Sequence, residues 1–216
     1  MILARTARFA AELKRCCRGA IIIEFAMLLP LIALAGLGGI ELANFAITHM
    51  RINQIAVSLA DNASRAKQAS IGGAPRLREY DVNEALRAAE LQGDSLDIAA
   101  RGRLILSSLE VNGAGGQWIH WQRCAGAVTA SSSYGTQGEG SSGTAFPGMG
   151  PAARRVTAED DSAIMFAEVV YQYDPVFFSG VVEPQQIRKF AAMYVRDDRD
   201  LTQIYNPSPT SPVSAC

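Results

Sequence analysis

One carboxylate, Glu24, stands near the start of an apolar run that extends from Ala20 to Ile40. An ionised carboxylate at the centre of a membrane helix costs about 2.5–3.5 kcal/mol, and less near the interface. Hydrolysis of the peptide bond after Gly19 would give this carboxylate a partner, because it would leave a positively charged amine on Ala20. In a bundle of such helices, Glu24 of one copy could neutralise the new N-terminus of its neighbour and fix their axial register.

The other residues that commonly carry chemistry form no catalytic or metal-binding set in the sequence. The two histidines, His49 and His120, lack further ligands at the spacing of a metal site. His120 and Cys124 would lie about 13 Å apart along one strand, too far for a base and its nucleophile. A formal G-x-G-x-x-G match at Gly138–Gly143 lacks the preceding strand and following helix of a dinucleotide site. We therefore predict a protein without enzymatic activity, metal or cofactor.

For the charged residues in the later part of the chain, the sequence predicts ordinary positions at the surface. The runs Glu159–Asp161 and Arg196–Asp200 are typical of solvated turns, and neither has the spacing of an EF-hand calcium loop. Glu168 and Gln172 would share one strand face with apolar neighbours. This pattern indicates either an edge or interface position or a partly solvated sheet face.

The distribution of charge predicts a single membrane span. The chain has 216 residues, 49% of them hydrophobic, and a formal net charge of −1, which gives no indication of a nucleic-acid partner. Residues 20–40 would form about 31 Å of helix, close to the thickness of a bilayer's hydrocarbon core. Five of the residues 1–19 are basic and one is acidic, so the positive-inside rule places this leader in the cytoplasm and the chain after Glu41 outside. A secretory signal peptide fits less well, because the run is too long and contains Glu24.

Beyond the span, the spacing of apolar residues predicts that the same helix continues as an amphipathic half over residues 41–70. The apolar positions recur at intervals of three, four and seven residues: Leu42, Phe45, Ile52, Ile55, Leu59, Ala63 and Ala66. The stretch Gly72–Pro75 would end this helix. Asp81, followed by Glu84, predicts the N-cap of a short second helix.

The rest of the chain, residues 71–216, predicts an α+β domain on a small antiparallel sheet. Its strand candidates alternate apolar and polar residues or are bounded by turns: Leu104–Val111, Gln117–Val128, Ala163–Tyr173 and Phe190–Val195. The Ser/Gly-rich stretch 129–151 predicts a long surface loop. The predicted fold is therefore a long N-terminal helix followed by a small antiparallel-sheet domain.

Two cysteines, Cys124 and Cys216, fall on the predicted outer side of the membrane. An oxidising compartment there would permit a disulfide, whereas Cys16 and Cys17 on the inner side should stay reduced. In the chain-entropy view, closing a loop of about 90 residues contributes at most about 4–5 kcal/mol. Two unrelated free thiols are the alternative; we favour the bridge because a cysteine at the end of the sequence is easily understood as a clasp.

A basic leader, a glycine and an apolar helix with glutamate at its fifth position resemble the class III signal of type IV pilins and pseudopilins. The run GAIIIEFAMLLP, from Gly19 to Pro30, is similar to that of TadE-like proteins of tight-adherence (Flp, type IVb) pilus systems. In that motif Phe25 follows the key Glu24. Further features with the same resemblance are Gly38, Gly39 and Glu41 near the end of the span and, with less specificity, Trp121–Cys124, Phe166–Val169, Val195–Asp198 and Asn206–Cys216.

The resemblance implies a minor pseudopilin. A prepilin peptidase would cut between Gly19 and Ala20 on the cytoplasmic face, and the product would take part in assembling an adhesive pilus with other pilins, pseudopilins and the assembly machinery. The chain would sit in the bacterial inner membrane with its outer domain in the periplasm, or outside the cell if the mature chain enters the fibre. Pro30 would remove a helix hydrogen bond and kink the span.

Two other classes of protein remain open from the sequence. The first is an uncleaved, membrane-anchored envelope protein whose outer domain binds a ligand or partner. The second is a membrane-tethered hydrolase, for which the sequence shows no nucleophile, base and acid in one set.

Overall fold

A computed structural model describes residues 18–70, 73–177, 179–180 and 183–216 of the chain. The predicted leader, residues 1–19, lies outside the described residues except for its last two. The helices of the described part are α1 (Arg18–Arg65), α2 (Glu79–Gln92) and the short α3 (Ile98–Arg101). The strands are β1 (Gln68–Ser70), β2 (Gly73–Arg78), β3 (Gly102–Val111), β4 (Gln117–Ala125), β5 (Ile164–Tyr173), β6 (Gln185–Tyr194) and β7 (Asp200–Tyr205).

The predicted α+β class is confirmed, with a long N-terminal helix followed by a small antiparallel sheet. The main sheet has the order β4-β3-β5-β6, and all of its neighbouring strands are antiparallel. Leu104 on the central β3 pairs with Ala125 on one side and Val169 on the other. A second, three-stranded sheet has the order β1-β2-β7, in which β2 and β7 are parallel.

The outer half of α1 is amphipathic, as predicted, and forms one wall of the main core. Its buried residues recur every three or four positions: Thr48, Ile52, Ile55, Ala56, Leu59, Ala60, Ala63 and Ser64. All of them except Thr48 and Ser64 share one apolar cluster with α2 and with alternate residues of β5, from Met165 to Tyr173. Leu42, predicted to continue this face, is instead 69% exposed; at this level the contacts with the domain are made by Glu41, Asn44 and Phe45.

The opposite face of the main sheet is covered by the Ser/Gly-rich segment 129–151. Tyr134 and Phe146 of this segment pack on a second apolar cluster that includes Phe166 of β5. The Tyr134 ring lies edge-on to the Phe166 ring, with their centroids 5.4 Å apart. Like the surface loop that we predicted, the segment has no helix or named strand and is mostly exposed. Its few large side chains also make it a third layer, because they supply an apolar cover for the sheet.

Backbone and amide hydrogen bonds attach this third layer to the strands below it. The Gly138 amide donates to the Ile119 carbonyl at 2.7 Å, and the Ile119 amide donates to the Glu139 carbonyl at 2.9 Å. Asn112 Nδ2 donates to the carbonyls of Gly140 and Gly143, at 2.7 and 2.8 Å. The formal G-x-G-x-x-G motif therefore belongs to the covering layer.

Glu168 lies beneath the same segment and is only 1% exposed. Its carboxylate accepts hydrogen bonds from Ser132 Oγ at 2.9 Å and from the Ser133 amide at 3.1 Å, and it forms an ion pair with Arg188 of β6. The edge or partly solvated position that we predicted is therefore wrong for Glu168, whereas Gln172 is half-buried. Because the covering segment excludes water, these donors and the guanidinium compensate the buried charge.

The charged run near the end of the chain is also buried in part, which corrects its prediction as a solvated turn. Arg199 is 6% exposed and donates from Nη2 to the Ser64 carbonyl at 2.5 Å, at the C-terminal end of α1. The last carbonyls of a helix have no partner within it, so an arginine there satisfies one of them. Asp197 holds this guanidinium from the other side, with Oδ1 at 2.8 Å from Arg199 Nε, and also pairs with Lys67 at 3.0 Å.

Several element boundaries differ from the predictions, and the largest shift among the strands is that β6 begins at Gln185 and not at Phe190. Helix α1 ends at Arg65, and Gln68–Ser70 pairs with β2. Helix α2 begins at Glu79, and Asp81 is its third residue, where Oδ2 accepts the Arg78 amide at 3.1 Å. Strand β4 stops at Ala125, because Gly126 turns away with a positive φ against the backbone of Gly102.

We expect Glu168→Ala to lower the free energy of unfolding of the outer domain by about 2 kcal/mol, because it leaves buried donors without an acceptor. Urea unfolding of the chain in detergent, followed by tryptophan fluorescence, measures this change. Glu159→Ala is the matched control: this carboxylate is exposed, and its removal should change stability by less than about 0.5 kcal/mol. Equal free energies of unfolding for the two variants would contradict the stabilising role of the buried Glu168 carboxylate.

Candidate functional site: the exposed apolar half of helix α1

The N-terminal half of α1 projects away from the domain. Every residue from Ile21 to Leu37 is exposed. The most apolar 18-residue window of the helix has a mean hydropathy of 2.3, and none of its residues is buried. This stretch is long and apolar enough to be a single membrane span by length and composition.

The predicted processing residues lie in the first two turns of α1. Gly19 is exposed, and a Cβ added there would meet no atom within 4 Å. Glu24 and Phe25 are also exposed. Positions 20 and 24 are one turn apart on the same side of the helix, so an amine on Ala20 and the carboxylate of Glu24 would be neighbours. The pair that we predicted joins two copies of the chain, and it stays a prediction.

Pro30 lies inside α1, which runs without interruption from Arg18 to Arg65. Proline has no amide proton, so the helix lacks one hydrogen bond at this position. Neighbouring helices or side chains commonly make up for such a gap in a membrane helix. The kink that we expect at Pro30 stays a prediction.

The exposed half of α1 ends at Glu41, whose carboxylate is held by the outer domain. The Tyr173 hydroxyl donates to Oε1 at 2.5 Å, and the amides of Val176 and Phe177 each donate to Oε2 at 2.9 Å. Asn44 Nδ2 in turn donates to the Tyr173 hydroxyl at 3.0 Å. The Glu41 carboxylate, directly after the apolar stretch, therefore joins α1 to the end of β5 and to the residues that follow β5.

Aromatic rings pack directly behind Glu41. Phe45 lies edge-on to both His49 and Tyr173, with centroid distances of 4.4 and 5.0 Å. Burial raises the pKa of Tyr173, and so does its hydrogen bond to Glu41, so the phenol keeps its proton at neutral pH. Burial lowers the pKa of His49, which favours its neutral form. His49 thus packs as a neutral ring against Phe45.

Cys124 and Cys216 are joined by the predicted disulfide, with Cα atoms 5.0 Å apart and 92 positions between them in sequence. The bridge holds the C-terminal tail on β4, where the Cys124 amide also donates to the Ser214 carbonyl at 2.7 Å. The adjacent Arg123 pairs with Glu79 at the start of α2, with Nη2 and Oε1 2.5 Å apart. Because the sulfur of Cys124 is bonded to Cys216, it is not available as a nucleophile.

The remaining histidine makes local contacts. His120 Nδ1 lies 2.8 Å from Glu110 Oε2, and the ring stacks on Trp118 with a centroid distance of 4.3 Å. Across residues 18–216, leaving aside the five positions without a description, no group of three His, Cys, Asp or Glu side chains is placed to hold a metal ion.

No pattern in the sequence identifies the contact between Glu41 and Tyr173. In the sequence analysis Glu41 only marked the end of the predicted span and formed part of the resemblance, and its two kinds of donor lie 132 to 136 positions away. Tyr173 was recognisable as the end of a strand, followed by Asp174 and Pro175. Nothing local, however, relates a strand end to a position on a helix so far away.

We expect Cys216→Ser to lower the free energy of unfolding by about 2–5 kcal/mol, because the unfolded chain regains the freedom that the cross-link removes. Urea unfolding without reductant measures the loss. The double variant Cys124→Ser/Cys216→Ser removes the same bond without leaving a free thiol on β4, and should be as stable as the single variant. If reductant leaves the free energy of unfolding of the wild-type chain unchanged, the disulfide does not stabilise the fold.

Comparison of the chain with models of known families, with curated proteins and with solved structures gives no match in any of the three. The resemblance to TadE-like proteins therefore rests on the sequence of the first part of α1.

Proposed function

We propose that this chain is a pseudopilin-like membrane protein that takes part in assembling an adhesive pilus of the tight-adherence (Flp) type. In this proposal a prepilin peptidase cleaves it after Gly19. The observation that carries the proposal is the exposed apolar half of α1, with its one carboxylate, Glu24, five residues after that glycine.

The exposure of this half supports a role in contact with lipid or with other helices. A helix that is apolar on all sides is stable in water only if something covers it, and the outer domain covers none of the residues from Ile21 to Leu37. The bilayer would cover them before assembly, and the apolar helices of other pilins and pseudopilins afterwards. Both surroundings are apolar, so the transfer exchanges one favourable environment for another.

The position of Glu24 supports the cleavage step in particular. A lone carboxylate in the membrane is unfavourable, and so is a lone ammonium group. After cleavage, the amine of Ala20 would lie one turn from Glu24 on its own helix, and within reach of the Glu24 of a neighbour at the same depth. Pairing across two helices would offset the loss of hydration of both groups and set the axial register.

The location that goes with this function is the bacterial inner membrane, crossed once. The leader is cytoplasmic in this arrangement, and the domain beyond Glu41 is periplasmic, or extracellular if the chain enters the fibre. The basic residues before Gly19 support this direction through the positive-inside rule. The disulfide between Cys124 and Cys216 supports an oxidising compartment for the domain.

Intact-mass measurement of the membrane-extracted protein tests the processing step. We expect loss of Met1–Gly19 when the protein is expressed with an active prepilin peptidase, and a full-length chain without the peptidase. Gly19→Leu should block the loss, because a bulky side chain then precedes the scissile bond. Gly36→Leu is the matched control, since it adds the same side chain at another exposed glycine of α1, and it should be cleaved normally. Retention of residues 1–19 in every sample would favour the uncleaved, membrane-anchored binding protein instead.

A second experiment tests the charge pair after processing. We expect Glu24→Gln to insert into membranes normally but to reduce piliation strongly, because the new amine of Ala20 then has no anion to meet. Glu24→Asp keeps the charge and should retain more piliation than Glu24→Gln. Piliation is counted by electron microscopy in cells with matched amounts of membrane-inserted protein. Normal piliation in the Gln variant would exclude the charge pair.

A further inference from the structure

The connection that follows β5 lies at the end of the outer domain that is nearest to the apolar half of α1. Tyr173 is the last residue of β5, and its hydroxyl donates to Glu41. The next residues stay at the same level, because the amides of Val176 and Phe177 both donate to Glu41 Oε2 at 2.9 Å. We call the segment Pro175–Phe177 the apolar tip.

Two of the three side chains of the apolar tip point into solvent, whereas Pro175 is buried. Val176 is 60% exposed and Phe177 is 48% exposed. On the adjacent turn of α1, Ile40 and Leu42 are exposed as well. The tip therefore continues the apolar surface of the helix sideways, onto the domain.

A groove of about 260 Å³ lies between the apolar tip and α1. Its lining includes Gly38, Leu42 and Phe45 from the helix and Pro175 from the tip, and most of it is apolar. The helix, the groove and the tip thus form one continuous apolar surface around Glu41.

The depth of the apolar tip follows from its hydrogen bonds to Glu41. Residues 20–40 account for about 31 Å of helix, the thickness of the hydrocarbon core, so position 41 falls in the headgroup region. An amide that donates to the Glu41 carboxylate places Phe177 at the same depth. Tryptophan and tyrosine are enriched in this layer of the membrane, and segments that lie in it bury phenylalanine and leucine side chains at the boundary between headgroups and acyl chains.

Glu41 also removes the obstacle to bringing a loop close to lipid. An amide without a hydrogen-bond acceptor is strongly disfavoured near the hydrocarbon core. The amides of Val176 and Phe177 are both satisfied by one carboxylate of α1. The tip can therefore approach the acyl chains without exposing an unpaired donor at these two positions.

We propose that the apolar tip is a second membrane contact, lying in the headgroup region of the bilayer that α1 crosses. This inference rests on the proposed membrane span. One helix alone leaves the domain free to rotate about the helix axis and to tilt with it. A second contact at one side of the helix fixes which face of the domain is turned towards the membrane.

Quenching of tryptophan fluorescence by brominated lipids tests this contact. The full chain is reconstituted into phosphatidylcholine vesicles whose acyl chains carry bromine near the headgroup or near the bilayer centre. The two native tryptophans give the baseline, since Trp118 and Trp121 pair with Glu110 and Ser108 towards the end of the sheet remote from Glu41. We expect Phe177→Trp to lose emission with headgroup-proximal bromine beyond that baseline. Val176→Trp is a second variant with the same expected loss.

Two further variants serve as controls at known positions. Tyr80→Trp replaces an exposed aromatic residue on the first turn of α2. The neighbouring Asp81 lines the same groove as Arg65, about 36 Å along α1 from Glu41, so Tyr80→Trp should show no added quenching. Leu31→Trp lies in the middle of the apolar half, and should lose emission most with bromine near the bilayer centre.

The outcomes separate this inference from the proposed span. Quenching in Leu31→Trp without added quenching in Phe177→Trp or Val176→Trp would overturn the membrane contact and leave the span intact. Absence of quenching in Leu31→Trp as well would overturn both. A change in Phe177→Trp emission that follows protein density in the vesicles, and not bromine, would assign the tip to a second copy of the chain.

Discussion

One uninterrupted helix of 48 residues has to meet two different environments. Its outer half places residues such as Ile52, Ile55 and Leu59 in the core of a domain. Its inner half presents apolar side chains on every side and is covered by nothing in the described chain. The helix passes from one environment to the other at Glu41. The carboxylate of this residue accepts hydrogen bonds from the Tyr173 hydroxyl and from the amides of Val176 and Phe177. The rest of the molecule is arranged around this change, because the domain has to begin where the apolar surface ends.

Buried charges connect parts of the chain that are distant in sequence. Arg199 satisfies a carbonyl at the end of α1, Arg123 joins β4 to Glu79 of α2, and Glu168 holds the covering segment over the sheet. A buried ion pair is weak evidence for stability, since removal from water offsets much of its attraction. These pairs do, however, penalise alternative arrangements, because any shift leaves a buried charge without its partner. They accordingly define how the helices and the Ser/Gly-rich layer dock on the sheet.

The features that were predictable from the sequence depend on local periodicity. The spacing of three and four residues identified the buried positions Ile52 to Ala63 of α1, since a helix repeats every 3.6 residues. Alternation and turn residues identified the four strands of the main sheet. The short strands β1, β2 and β7 were missed, because their partly polar sequences have no comparable pattern and their pairing joins distant parts of the chain.

The features that were not predictable depend on contacts across long separations. Ser132 meets Glu168 across 36 positions and Glu41 meets Tyr173 across 132, and no local pattern identifies either pair. The burial of Glu168 and Arg199 followed from the same kind of contact. At the candidate site, by contrast, the proposed relation between Gly19 and Glu24 needs only their fixed spacing along one helix. Chemistry carried by one element is easier to identify from sequence than chemistry assembled from several.

The absence of any loop between the two halves of α1 links the orientation of the domain to the packing of the helix. Neighbouring positions on a helix differ by about 100° in azimuth and about 1.5 Å in height. If the apolar half shifts by one residue against whatever surrounds it, the sheet joined to the same helix turns and rises with it. The neighbours of the apolar half would then decide which surface of the domain is displayed.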